Sequence, residues 1–181
     1  MRVISGFLKG RKIDGYNIEG TRATMDRVKE SIFAIISDDV KDCIFLDLFA
    51  GSGSIGIEAV SNGAKLCYFS DINKKAINVI NKNINNFNIS DKSFVINKDY
   101  NDALLYFKNK DIVFDIIYID PPYRLDVYSD ILDKLIKYKL ISKNSLVILE
   151  SDSKIQFNNN YTVIREKKYS NKYVSILKLT I

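Results

Sequence analysis

Residues 44–56 read IFLDLFAGSGSIG. An apolar run of strand length meets a glycine-rich turn, and the turn opens into the helical pattern SIGIEAV. Strand, Gly-x-Gly-x-x-Gly and helix in that order is the setting in which such glycines hold a nucleotide-containing ligand. Gly51 permits the tight turn, Gly53 lets a ligand approach the backbone, and Gly56 lets the helix pack close to the strand. Asp71 follows Gly51 by 20 residues and ends the next apolar run, AKLCYFSD. A carboxylate at that place can accept hydrogen bonds from ribose hydroxyls.

Outward from this unit, strands and helices alternate. NKKAINVINKNINNF carries Ala76, Ile77, Ile80, Ile84 and Phe87 at helical spacing. The runs KSFVINKD, FDIIYIDPPY and SLVILES follow as strands, separated by the helical stretches NDALLYFKN and VYSDILDKLIKYKLI. YTVIREKKYSNKYVSILKLTI alternates about Ser170, Asn171 and Lys172 and predicts a closing hairpin. The first five strands are apolar almost throughout, as a parallel sheet covered on both faces requires. The expected fold is therefore α/β: a doubly wound, mostly parallel, seven-stranded Rossmann-like sheet. Upstream, RVISGFLKGRKIDGYNI is punctuated by Gly6, Gly10 and Gly15 and predicts short strands. Thr24 is the expected N-cap of an amphipathic helix over 25–37 with Met25, Val28, Ile32, Ile35 and Ile36 on its apolar face. Residues 1–40 are thus expected to form a small basic hairpin-and-helix extension, and 41–181 a single catalytic domain.

Composition narrows the function. A chain of 181 residues, 46% hydrophobic and 27% charged, suits one folded domain. It contains no His, which removes His-based acid–base chemistry, Ser-His-Asp catalysis and imidazole zinc sites, so no metal is expected. Cys43 and Cys67 have no metal-ligand spacing and read as buried small hydrophobes. No apolar run reaches transmembrane length and no secretory signal precedes the fold, so a cytoplasmic, membrane-free, monomeric protein is expected. Residues 1–30 hold seven Lys/Arg against four acids, and 161–181 hold five against one. The intervening 31–160 hold 15 against 17. Basic ends on a slightly acidic body suit a phosphate backbone as partner.

Two carboxylates refine the ligand. Asp47 lies just ahead of the glycine loop, where it would repel a pyrophosphate but attract an aminoacyl ammonium. That favours S-adenosylmethionine over a dinucleotide. Asp99, after the third strand, has two readings of equal weight: acceptor for an adenine amino group, or helix cap. At the end of the fourth strand stands Asp120-Pro121-Pro122-Tyr123. The prolines remove backbone donors and leave carbonyls uncommitted. The Asp120 carboxylate and one such carbonyl can grip a planar amino group, and Tyr123 offers a face for an extruded base.

These motifs resemble those of class I S-adenosylmethionine-dependent amino-methyltransferases. With RVISGFLKGRKI and TRATMDRVKESIFAII upstream, the chain resembles the bacterial 16S ribosomal RNA guanine-N2 methyltransferase family of RsmD type, which modifies guanine 966. Members carry a basic GRK segment, an Arg-Pro-Thr…Asp-Arg-Val-(Arg/Lys)-Glu helix start, LDLFAGSG and DPPY. Ala23 replaces the usual Pro, and Asp71 stands where Glu is frequent. By motif match, the resemblance implies cofactor contacts from Asp47, Ala50, Gly51, Ser52, Gly53, Asp71, Ile72, Asp99 and Tyr100. It implies that Asp120, Pro121, Pro122 and Tyr123 hold the guanine. It implies that Lys9, Arg11 and Lys12 neutralise RNA phosphates, with Arg22, Thr24 and Arg27 closing the site or meeting RNA. The implied partner is 16S ribosomal RNA, naked or in an assembling small subunit. The other basic stretch, Arg165, Lys167, Lys168 and Lys172, is the alternative RNA surface.

Other readings keep the same grip or drop it. Methylation of adenine N6 in DNA uses the same device but usually needs a sizeable target-recognition segment. Methylation of a protein glutamine favours Asn over Asp in the motif. An NAD-dependent dehydrogenase leaves DPPY idle, and a non-catalytic RNA-binding module leaves the cofactor motif idle.

Overall fold

The computed structural model describes residues 1–15, 26–122, 127–170 and 172–180. Helix α1 spans Asp26–Ile35, and the alternating body runs β1 (Ile44–Asp47), α2 (Ser54–Ser61), β2 (Leu66–Asp71), α3 (Lys74–Phe87) and β3 (Ser93–Asn97). It continues through α4 (Tyr100–Lys108), β4 (Phe114–Ile119), α5 (Tyr128–Lys137), β5 (Ile141–Ser151), β6 (Tyr161–Tyr169) and β7 (Lys172–Leu179). The seven strands form one sheet in the order β3-β2-β1-β4-β5-β7-β6. β1 to β5 are mutually parallel, and β7 runs antiparallel between β5 and β6. The order reverses between β1 and β4, so the crevice beyond their carboxyl ends is where a ligand belongs.

The period of two along each strand explains the continuous apolar runs. Phe45, Ile116, Tyr118, Leu146 and Ile148 point to the face covered by α1, α2 and α3. Their neighbours Leu46, Ile117, Ile119, Val147 and Leu149 point to the face covered by α4 and α5. Both faces are buried, so neither set can be polar. β5 begins earlier than the SLVILES run, at Ile141, with its pairing to β4 irregular between Phe114 and Ile116.

The N-terminal segment departs from expectation. Instead of strands, residues 1–15 form one isolated bridge, Arg2 with Lys12, around a turn. The turn's backbone groups are satisfied by α2: Phe7 N–H donates to the Ser61 carbonyl and Leu8 N–H to Ser61 Oγ, both at 3.0 Å. Gly6, at φ +75°, sits so close that a Cβ would lie 1.8 Å from the Ser61 carbonyl oxygen. Beside it the fully buried Glu58 accepts from the Ile4 and Ser5 N–H groups, and the Lys29 ammonium donates to the Arg2 carbonyl at 2.8 Å. Lys29 therefore belongs to this internal clamp and not to a basic surface. Val3, Leu8 and Ile13 join the same core as α1 and α2. Helix α1 is described from Asp26; Met25 and the expected cap Thr24 lie outside the described residues. No helix among the described residues is long and apolar enough to cross a membrane.

Candidate active site

Parallel pairing brings the carboxyl ends of β1, β2 and β4 to one edge, and with them Asp47, Asp71 and Asp120. Asp47 is 2% exposed, and its Oδ2 accepts from Gly56 N–H at 3.0 Å. Burial pushes its pKa up to about 7, against the pull of that hydrogen bond, and the negative charge of Asp71 adds to the rise. The three glycines answer different constraints. Gly51 and Gly53 lie at φ +55° and +78°, the left-handed region where a side chain is strained. A Cβ on Gly56 would lie 2.2 Å from Phe69 Cε1 and 2.7 Å from Cys67 Sγ, so α2 rests directly on β2.

Asp71 has a second duty. Its Oδ2 accepts from Gly51 N–H at 2.9 Å and its Oδ1 from Asn73 N–H at 2.8 Å. The carboxylate braces the glycine loop while each oxygen keeps a second lone pair for a ligand. Burial raises its pKa, and the two N–H groups oppose the rise. Ile72, next in the chain, is 71% exposed, while Asn97 Nδ2 holds its carbonyl at 2.9 Å. An apolar side chain held out in solvent beside the glycine loop can cover the face of a planar ring.

Of the two readings of Asp99, the structure displays the cap: Oδ1 accepts from Asp102 N–H at 2.9 Å and starts α4. Tyr100 lies against Phe49 and donates to Asp130 Oδ2 at 3.0 Å, tying α4 to α5. Ala50 is buried, with its N–H on the Ser70 carbonyl. The Ser52 carbonyl accepts from Asn83 Nδ2 at 3.1 Å, and the same amide nitrogen donates to the Asp14 carbonyl at 3.0 Å. Asn83, buried on α3, thereby ties the cofactor loop to the N-terminal segment.

Asp120 follows β4 directly, with Pro121 buried and Pro122 exposed; Tyr123 lies outside the described residues. The Asp120 side chain is 22% exposed, and its Oδ2 lies 3.8 Å from Lys172 Nζ. Lys172, 5% exposed, donates to the fully buried Glu150 at the end of β5, and Tyr118 Oη donates to the other oxygen of Glu150. Burial holds the Asp120 pKa well above the usual carboxylate range; Glu150 and Asp47 add to the rise and Lys172 opposes it. Lys172 is thus no part of an RNA surface, unlike the exposed Arg165, Lys167 and Lys168 on the edge strand β6. Glu150 escaped the sequence reading because it closes an apolar strand, and Lys172, the first residue of β7, was grouped with the basic surface because it follows the hairpin turn.

Among the expected RNA contacts, Lys9, Lys12 and Arg27 are exposed, and Arg22 lies outside the described residues. Arg11 is exposed but committed: it donates to the Asn86 carbonyl and lies 4.6 Å over the Phe87 ring centroid.

A sheet of this order, with the antiparallel β7 and its acids gathered at the β1–β4 switch, defines the class: a Rossmann-like methyltransferase. A family model described as Conserved hypothetical protein 95 matches residues 1–178. The chain belongs to this family, the RsmD-type methyltransferases that the DRVKE, LDLFAGSG and DPPY motifs resemble. Ribosomal RNA small subunit methyltransferase D of Buchnera aphidicola (subsp. Acyrthosiphon pisum) is 36% identical over 167 residues, covering 91% of this chain and 86% of that protein. The protein of the same name from Haemophilus influenzae is 34% identical over 170 residues, covering 92% and 88%. A solved Haemophilus influenzae structure described as a candidate methylase, HI0767, superposes with a TM-score of 0.81 at 27% identity, over 98% of this chain and 97% of that one.

Proposed function

We propose that this protein transfers a methyl group from S-adenosylmethionine to the exocyclic N2 amine of a guanine in 16S ribosomal RNA. The observation that carries the reading is the placement of Asp120, ahead of two prolines, directly across the switch from the loop that Asp47 and Asp71 organise. The curated relatives named as small subunit ribosomal RNA methyltransferases support the substrate class. The chemistry of the residues supports the cofactor. Asp47 is a buried carboxylate with one N–H partner in Gly56, so an ammonium beside it finds an uncompensated acceptor. Asp71 has lone pairs for ribose hydroxyls, Ile72 presents an apolar face, and Gly51 has open space where a side chain would stand.

The cofactor supplies an electrophilic methyl group on a sulfonium. The protein's part is to make a poor nucleophile adequate and to aim it. The lone pair of guanine N2 is delocalised into the ring. Asp120 accepts one amine N–H, and the Pro121 carbonyl the other, which raises density on nitrogen and favours its tetrahedral form. Fixing the amine in line with the methyl carbon supplies the positional part of the rate. Asp120, as a partly buried carboxylate, can also take the proton that the methylated amine must lose. Lys9, Lys12 and Arg27 present positive charge for RNA phosphates. Nucleoside mass spectrometry of 16S ribosomal RNA from cells lacking this protein tests the reading: N2-methylguanosine should fall at one position, and an unchanged methylation pattern would refute it.

A further inference from the structure

We infer that Lys172 is the positioning residue of the acceptor site: its ammonium, seated on the buried Glu150 carboxylate and 3.8 Å from Asp120 Oδ2, orients the Asp120 carboxyl as a hydrogen-bond acceptor and favours its ionised form. The inference rests on the reading that Asp120 grips the acceptor amine.

The argument begins with burial. A lysine that is 5% exposed is rare unless its charge is met. Here it is met by Glu150, whose own side chain is fully buried and whose second oxygen receives Tyr118 Oη. The end of β5 is held in turn by Tyr128 Oη, which donates to the Glu150 carbonyl at 2.8 Å. The ammonium is therefore fixed from beneath, and one of its directions of approach leads to Asp120. β5 and β7 pair antiparallel with Ser151 opposite Tyr173, which puts the first residue of β7 beside the end of β5. The arrangement is written into the sheet and does not depend on a flexible surface side chain.

Three charged groups act on Asp120 from the strands around it: Asp47 on β1, Glu150 on β5 and Lys172 on β7. Two of them are carboxylates, and burial itself disfavours the ionised form. Lys172 is the one cation acting on Asp120 among the described residues that opposes these effects. A protonated Asp120 is a weaker acceptor and cannot take the proton the amine must lose, so an ammonium that favours the carboxylate favours a working grip. A purely structural Lys172 would stabilise the β5–β7 edge and leave the titration of Asp120 unmoved.

The test titrates Asp120 directly. The full-length protein is labelled with ¹³C at aspartate carboxyls, the Asp120 resonance is assigned with Asp120→Asn, and its midpoint is followed in wild type, Lys172→Met and Glu150→Gln. An opposite charge at this distance typically lowers a carboxyl by about 1–3 pH units. Lys172→Met should therefore raise the midpoint by about one unit or more. Glu150→Gln, which removes a repelling charge but keeps an amide acceptor, should lower it. The acid limb of methyl transfer to 16S RNA should move in the same opposite directions, with the affinity for S-adenosylhomocysteine unchanged. Opposite shifts from two neighbouring substitutions are not produced by general loosening. If Lys172→Met does not fold, Lys172→Gln, which keeps a donor for Glu150 without the charge, takes its place in the same titration. A midpoint unmoved in a folded variant overturns the inference. Midpoints that move while the activity limb stays fixed overturn instead the assignment of Asp120 to the amine.

Discussion

Cofactor affinity should rise with pH between 5.5 and 7.5, and Asp47 is the reason. With its pKa pushed to about 7, Asp47 in the cofactor-free protein is about one-tenth ionised at pH 6 and about three-quarters ionised at pH 7.5. An ammonium bound beside it requires the ionised form. The dissociation constant of S-adenosylhomocysteine should therefore be about eightfold weaker at pH 6 than at pH 7.5. The window stops there because an α-amino group itself loses its proton near pH 8. Isothermal titration calorimetry in buffers of differing ionisation enthalpy measures both the affinity and the proton released, about half an equivalent near pH 7 if the complex holds Asp47 fully ionised. Asp47→Asn keeps an acceptor for the Gly56 N–H, and should bind weakly with this part of the slope removed. The same carboxyl has a stability signature. Its folded pKa is raised, so between about pH 4 and pH 7 the native state holds a proton that the unfolded chain has lost, and stability falls as pH rises. Asp47→Asn should raise the Tm of the cofactor-free protein at pH 8 and leave it nearly unchanged at pH 4. An affinity independent of pH in the wild type, or an Asp47→Asn variant with the wild-type slope, would refute this account of Asp47.

Three further outcomes follow from particular contacts. Asp71→Ala should weaken S-adenosylhomocysteine binding by at least tenfold and also lower the Tm, because it strips the Gly51 and Asn73 N–H groups of their acceptor at about 1–3 kcal/mol each; an unaffected melting curve would deny the bracing role. Gly56→Ala forces a Cβ to 2.2 Å from Phe69, and should cost about 1–3 kcal/mol in chemical denaturation. Changing Lys9, Arg11 and Lys12 together to Ala should weaken binding to a 16S RNA fragment while sparing the cofactor. Because Arg11 is engaged with Asn86 and Phe87, the salt slope should flatten by about 1.4–1.8 units, two phosphate contacts and not three. Filter binding across a salt series reads it, and a wild-type slope would move the RNA surface to the exposed β6 residues Arg165, Lys167 and Lys168.

The alternating body of the fold was legible because a parallel sheet covered on both faces leaves little choice of residue: IFLD, LCYFS, FDIIYI and LVILE are apolar at nearly every position, Asp115 being the exposed exception within β4. The loop after β1 and the Asp-Pro-Pro after β4 were legible because their glycines and prolines answer to local backbone geometry. What escaped was long-range. RVISGFLKGRKI pairs with itself only briefly, at Val3 with Gly10 and Arg11 and at Met1 with Ile13, and the turn between takes its partners from Glu58 and Ser61, more than fifty residues away. Glu150 is unremarkable in the sequence, Lys172 reads there as a surface cation, and the two meet through the antiparallel β5–β7 pairing, which no local pattern encodes. Asp99 illustrates the intermediate case: both readings need a carboxylate at a strand-to-helix junction, and the hydrogen bond to Asp102 displays one without removing the other.

The most direct test of the central claim is the fate of a labelled methyl group. Purified protein is incubated with S-adenosylmethionine carrying a deuterated methyl and with 16S ribosomal RNA from cells lacking the protein, both naked and in assembling small subunits, and the digested nucleosides are resolved by mass spectrometry. The account predicts label in N2-methylguanosine alone. With Asp120→Ala, the single-turnover rate should fall by about 10²–10³ while cofactor affinity holds. Label in N6-methyladenosine, label in no nucleoside at all, or near-normal transfer by Asp120→Ala would contradict it.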